Sequence, residues 1–259
     1  MQSIGRKESL VKETLKNILV LATAFGALVG CSGSNISTTP AYDPATATGR
    51  VFGSIQFEGA PPLMEPLEPG GSRFCVINAR GQTAQDVLVT KDAKLRNVIV
   101  YVRSGFEGRT YAAPGDPVVL DQQKCQYVPH VFTIMTSQKL IVRNSDNTFH
   151  NVHAMALVNS VFNFAQTIKG TENAVTFERP EMPFRIGCDL HKWMGAWVGV
   201  FDHPFHATSG DTGDYELKLP PGKYEIVAWQ EKLGEKVATV EVSDKSQVQL
   251  NFSFGEKKG

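Results

Sequence analysis

From Gly49 to Phe254 the apolar residues arrive in short β-branched runs, each closed by glycine, proline or a cluster of asparagine, aspartate and serine. That punctuation constrains the fold strongly. A helix needs apolar residues at a period of about 3.6 over roughly ten positions, and these runs stop too soon. "LRNVIVYVRSG" (95–105) is a valine-rich strand, and "GRVFGSIQFEGAPP" (49–62) reads as a strand ending at a proline pair. "KLIVRNSDNTFHNVHAMAL" (139–157) gives a strand, a polar turn and a second strand. "NAVTFERP" and "PFRIGCDL" are further strands parted by a proline turn, and "GAWVGVFDHP" is another. In "GDYELKLPPGKYEIVAW" a Pro-Pro-Gly turn separates two strands. Val248, Leu250, Phe252 and Phe254 alternate with polar residues, as on a half-buried sheet edge. The expected class is all-β, and 259 residues suffice for one large or two ordinary domains.

Lysine plus arginine (26) equals aspartate plus glutamate (26). A chain without net charge makes a poor partner for nucleic acid, which needs a basic surface. The N-terminus has the pattern of an export signal. Arg6, Lys7, Lys12 and Lys16 precede an apolar run from Ile18 to Val29, short for a bilayer span but suited to the hydrophobic part of a signal peptide. The run ends in "LVGC", which resembles a bacterial lipobox. That resemblance implies that residues 1–31 form a lipoprotein signal, that Cys31 is lipidated, and that Ser32 after it directs the protein to the outer membrane. The alternative is an unprocessed membrane anchor. Residues 32–48 are small, polar and proline-containing, and read as a flexible tether. The expected location is therefore the cell envelope, lipid-anchored on the periplasmic face.

An oxidising compartment permits disulfides. Beyond Cys31 the chain has Cys75, Cys125 and Cys188, an odd number. The expected pair is Cys75 with Cys125, because Cys188 sits in "GCDLHKWMG" (187–195), where Cys188, His191 and Met194 stand three apart. The alternative places Cys188 in the disulfide, since connectivity is not legible in a sequence. A thiol, an imidazole and a thioether in that rhythm suit one metal ion, given a further ligand from a distant strand. "NSDNTFHNVHA" offers His150 and His153. On a strand, positions three apart face opposite ways, so at most one of them reaches the loop. Two imidazoles and one thiolate make the plane of a blue-copper centre, with methionine as a weak axial ligand. Thioether suits zinc poorly. The chain has no C-x-x-C-H for haem and no second loop cysteine for binuclear copper. His203 and His206 read as part of an ordinary turn, and His130 has no assigned role.

"YVPHVFTIMTSQKLIVRNSDNTFHNV", followed by C-x-x-H-x-x-M, resembles the cupredoxins, the plastocyanin-like and amicyanin-like blue copper proteins. "HNVH" is especially similar to the amicyanin form. The resemblance implies a Greek-key β-sandwich over 114–205 and one type 1 copper ion on His150, Cys188, His191 and Met194. It implies that Asn151 ties the two ligand-bearing segments together. It further implies that His191 lies nearest solvent as the electron port; apolar loop neighbours such as Trp193 and Ala196 would suit a small, transient docking surface. Ser137 and Gln138 replace the glycine-aspartate turn usual in that family, a departure that touches no ligand. "GRVFGSIQFEGAPP", "LRNVIVYV", "GDYELKLPPGKYEIVAW" and "ATVEV" resemble the transthyretin-like, carboxypeptidase regulatory-like sandwich. That implies a second sandwich split into 49–113 and 206–259 with the copper unit inserted; two consecutive domains are the alternative. The expected function is one-electron transfer without enzymatic activity, to a redox protein such as a c-type cytochrome or a membrane oxidoreductase. Copper storage or delivery is a second reading, and a metal-free adhesion or carbohydrate-binding lipoprotein a third.

Overall fold

The computed structural model describes residues 41–255. Cys31, the export signal and residues 32–40 of the expected tether lie outside the described residues. In chain order the strands are β1 (Gly49–Glu58), β2 (Ile99–Ser104), β3 (Val118–Gln123), β4 (Gln126–Val128), β5 (Val131–Met135), β6 (Leu140–Asn144), β7 (His150–Ala154), β8 (Asn163–Gln166) and β9 (Glu172–Val175). They continue as β10 (Glu181–Gly187), β11 (Gly195–Phe201), β12 (His206–Thr208), β13 (Asp214–Leu219), β14 (Gly222–Gln230), β15 (Gly234–Val242), β16 (Gln247–Gln249) and β17 (Phe252–Gly255). One short helix, α1 (Arg73–Asn78), precedes β2. The expected all-β class is what the structure shows.

The strands form four sheets. Two of them, β5-β11-β10-β7-β8 and β4-β3-β6-β9, enclose a core that includes Leu120, Ile134, Leu140, Val152, Ile186 and Val198. The other two, β12-β2-β14-β15 and β13-β1-β16 with β17 also on β1, enclose a core that includes Val51, Ile55, Val100, Leu217, Ile226 and Phe254. Helix α1 contributes Cys75 to the first core, although its neighbours in sequence, β1 and β2, build the second.

β2 shows why its sequence is almost wholly apolar. Val98, Val100 and Val102 face the second core, while Ile99 and Tyr101 face a junction shared with Val131, Phe201 and Val227. Successive strand residues point to opposite faces, so a strand between two apolar layers loses the usual polar alternation. Each such side chain removed from water contributes about 1.5–3 kcal/mol. β11 does the same from the other side, with Val198 and Val200 in the first core and Trp197 and Phe201 towards the junction. The two sandwiches thus meet sheet against sheet.

Two expectations need correction. Residues 41–48 do not continue as a free tether: the Tyr42 amide donates to the Thr110 carbonyl, its ring meets Tyr111 and Phe205, and Pro44–Thr46 is a 3-10 turn capped by Asp43. The alternating edge from Val248 to Phe254 is broken into β16 and β17, both parallel to β1. The break sits at Gly53, where a Cβ would lie 1.8 Å from the Leu250 carbonyl oxygen. Beside it the Ser54 amide donates to the Asn251 side-chain oxygen (2.9 Å) instead of a ladder carbonyl.

Candidate metal centre

Cys188 follows β10 and Met194 precedes β11, so C-x-x-H-x-x-M is the turn of a hairpin whose last pair is Gly187 with Gly195. The turn is closed by the Cys188 amide on the Met194 carbonyl (3.3 Å) and the Met194 amide on the His191 carbonyl (2.8 Å). Arg185 lies across both glycines and donates to the Met194 carbonyl (3.0 Å). β7 runs beside β10, pairing His153 with Gly187, which brings His150 to the loop.

Three donor atoms meet there. His150 Nδ1 and His191 Nδ1 are 3.0 Å apart, and Cys188 Sγ is 3.6 Å from His191 Nδ1. All three residues are buried, His150 completely. Met194, 1% exposed, is in the same core. His150 turns its other nitrogen, Nε2, to Asp146 Oδ2 at 3.0 Å. The carboxylate fixes the proton on Nε2 and leaves the Nδ1 lone pair aimed inward, the usual way a protein orients an imidazole ligand. Two inward Nδ1 atoms at 3.0 Å then share either one proton or one cation.

Electrostatics favour the cation. Burial pushes the Cys188 thiol up, but hydrogen bonds involving His150, His191 and the Asn151 backbone outweigh it and hold the thiol at about 5. The group is a thiolate at neutral pH, the form that binds metal. Burial pushes the His150 imidazole down, yet Asp146 and then Cys188 more than offset this and raise it above its ordinary value. A buried thiolate and a buried carboxylate around two imidazoles form a negative pocket made of soft and borderline donors.

Asn151 joins the two segments. Its Oδ1 accepts from the Asp189 amide (2.7 Å) and, when Cys188 is a thiol, from Sγ (3.2 Å). Its Nδ2 donates to Asp189 Oδ2 (2.9 Å). His153 points to the opposite face, as alternation requires, and meets Asp189 Oδ1 at 3.0 Å. His203 and His206 are packed among aromatic rings, with His203 Nδ1 accepting from the Phe205 amide and His206 Nδ1 meeting Thr133 Oγ1 at 2.8 Å.

Cys75 and Cys125 form a disulfide, with S–S 2.04 Å, and Cys188 is the free cysteine among the described residues. That disulfide overturns one expectation. His191 is 3% exposed, and its Nε2 faces Cys75 Sγ at 3.6 Å. Helix α1 and the two-residue turn Lys124–Cys125 cover the imidazole that was expected to lie nearest solvent. Trp193 is partly buried and donates its indole N–H to the Cys125 carbonyl (2.9 Å), which ties the loop to this cover. Ala196 is fully buried in the first core. Neither forms an open apolar rim.

Asp146 is the residue that sequence reasoning missed. It accepts from His150 and from the amides of Lys124 (2.6 Å) and Cys125 (2.7 Å), both of which have positive φ. One carboxylate therefore holds the ligand imidazole and the turn that carries the disulfide. Its position four residues before His150, in "NSDNTFH", was the available signal. Tyr127 was missed too; its hydroxyl donates to the Asn151 carbonyl at 2.9 Å.

No protein-family model and no curated protein matches the chain. Solved structures do. A Cu-containing nitrite reductase from Thermus scotoductus SA-01 is 18% identical over 35% of this chain, with a TM-score of 0.31, and the match spans 25% of its own length. A purple cupredoxin from Nitrosopumilus maritimus is 19% identical over 32% of this chain and 98% of its own, with a TM-score of 0.28. An amicyanin from Paracoccus versutus is 24% identical over 39% of this chain and 96% of its own, with a TM-score of 0.30.

Proposed function

We propose that the chain is an electron-transfer protein in which His150, Cys188, His191 and Met194 would hold one type 1 copper ion. The observation that carries this reading is the convergence of two Nδ1 atoms and a free, buried thiolate within 4.8 Å of one another. Copper, when bound there, supplies a one-electron couple. The protein supplies the rest. Cys188 enters already deprotonated, so uptake needs no proton loss from sulfur at neutral pH. Asp146 and Asn151 fix the directions of His150 and the 188–194 loop, which keeps the donor set in place when its charge changes. Among the described residues no second cluster of histidines lies beside these ligands.

The cover over His191 bears on how an electron leaves. With that imidazole shielded, an electron leaving the site would have to pass α1 and the disulfide or the exposed neighbour Leu190. The partner fitting this role is a redox protein such as a c-type cytochrome or a membrane oxidoreductase. In this reading the lipid on Cys31 anchors the protein to the outer membrane on its periplasmic face. The second sandwich, transthyretin-like in its sequence texture, acts as spacer and scaffold.

The test is the visible spectrum of the copper-loaded protein before and after a mild reductant. An intense thiolate band that bleaches and returns on reoxidation is expected, and Cys188→Ser removes it. A colourless protein that still binds copper stoichiometrically turns the reading to storage or delivery. Colour that survives in Cys188→Ser refutes the ligand assignment.

A further inference from the structure

His130 takes no part in the buried cluster, yet it stands in a second convergence of ligand atoms. His130 precedes β5, Glu231 follows β14, and Asp86 lies in the long segment before β2. One imidazole nitrogen and two carboxylate oxygens from these three distant stretches all fall within 4.8 Å of one another. The donors come from both sandwiches, since β5 packs in the first and β14 in the second.

Each of the two inner side chains is oriented from behind. His130 Nδ1 donates to the Gly195 carbonyl at 3.0 Å, which turns Nε2 towards Glu231 Oε1. Glu231 Oε2 accepts from the Trp197 indole at 2.6 Å, which leaves Oε1 for the imidazole side. The side chains of His130 and Glu231 are only 10% and 5% exposed. An imidazole whose far nitrogen bonds a backbone carbonyl, next to a carboxylate with its own outer partner, is how metal ligands are held in proteins. The group opens on a cavity of about 380 Å³ that also touches Gln126 and Trp193, room enough for water in a further coordination position.

We propose that Asp86, His130 and Glu231 form a second metal site, which takes a borderline divalent cation of the zinc type. The donor set decides the class. One imidazole and two carboxylates suit zinc at three protein ligands plus water, whereas a soft ion is better served by the thiolate of Cys188. Lys232 is the built-in competitor: its ammonium lies 3.1 Å from Asp86 Oδ2 on a side chain that is 57% exposed and free to swing away. Arg185 also lines the cavity, but its guanidinium is engaged by the Lys192 and Met194 carbonyls. The site is independent of the copper reading, since it shares no ligand with it.

The test uses the full chain carrying Cys188→Ala, so that the thiolate cluster cannot take the ion. Zinc is titrated calorimetrically and counted by mass spectrometry after gel filtration. One zinc per chain is expected, weakened in His130→Gln and in Glu231→Gln by more than the roughly 10–100-fold that loss of an outer partner costs, and tightened in Lys232→Met. If no zinc binds, or if both ligand variants keep the parent affinity, His130 and Glu231 are an ion pair only and the proposal is overturned. Should His130→Gln not fold, zinc-edge anomalous scattering from the loaded Cys188→Ala protein decides. A peak bonded to His130 Nε2 upholds the site, and a peak elsewhere, or none, rejects it.

Discussion

Two pairs of histidines, three of the four buried and His206 half-buried, invite comparison. His150 and His191 lie at the end of the first sandwich; His203 and His206 lie near the junction. Burial alone treats all four alike, since it disfavours a charged imidazole. Their surroundings separate them. His150 is backed by Asp146 and faces Cys188, and these anions raise its pKa despite burial. His203 sits against the rings of Phe106, Phe201 and Phe205, and burial lowers it to about 4. His206 stacks on Phe201 and is lowered to about 3, first by burial and then by His203. Anions beside a histidine pair suit it to hold a metal ion, and aromatic rings make such a pair part of the core.

The largest effect comes from removing what covers the first pair. Cys75 and Cys125 are 50 residues apart, and a cross-link of that span is worth roughly 4 kcal/mol through the unfolded chain. Cys75→Ala/Cys125→Ala is therefore expected to lose most of that in urea unfolding and to leave His191 Nε2 open to water. A loss below about 1 kcal/mol would show that the cover is held by α1 packing alone. Next comes Asp146→Ala. It strands the buried amide of Cys125 and the part-buried amide of Lys124, at a cost of about 2–3 kcal/mol. It also weakens copper by about 10–100-fold through the misoriented His150. Unchanged copper affinity in a folded Asp146→Ala protein would break the idea that the anion distinguishes the pairs.

The second pair predicts a pH dependence of defined sign. His203 has a folded pKa of about 4, below the ordinary 6.5. Above pH 6.5 both folded and unfolded states hold it neutral, so it contributes nothing there. As pH falls, the unfolded chain takes up the proton first and is favoured, so stability declines between about pH 6.5 and 4. From pH 8 to pH 5 the loss from His203 is roughly 2 kcal/mol. His203→Asn keeps an acceptor for the Phe205 amide, now bonded to Nδ1 at 3.1 Å, and removes the titration. Urea midpoints of this variant should fall less steeply over that range; parallel curves for the two proteins would sink the assignment.

How much of this was legible follows from which interactions are local. Strand alternation separated His150 from His153, and the C-x-x-H-x-x-M spacing placed three donors on one hairpin turn. Both are short-range geometry. The cover over His191 was not legible, because α1 is a six-residue helix without a side-chain N-cap whose place is set by a distant disulfide and by contacts with the first core. The resemblance that pointed to His191 as exposed carried no information about residues 60–90, which lie outside the 114–205 segment that carries it. Asp146 and Glu231 were missed for a different reason. A carboxylate in a turn looks solvated until the fold buries it.

The smallest effect sharpens the comparison with a third histidine. His153 shares β7 with His150 but faces outward, where its Nδ1 meets Asp189. The Asp189 carboxyl is held down at about 2, chiefly by His153 and Asn163, yet its side chain is 40% exposed. Water screens such a pair, so the shift converts to little stability, and Asp189→Asn is expected to cost below about 1 kcal/mol. The sign is that of a depressed acid. Whatever Asp189 contributes is present above its ordinary pKa of 3.8 and fades as pH falls towards 2. Asp189→Asn also keeps an oxygen for the Asn151 amide, so the copper band should hold its position within the resolution of the spectrum. A shift in that band with no change in stability would mean that the outward histidine reaches the ligands through Asn151, and that the two faces of β7 are less separate than their exposure implies.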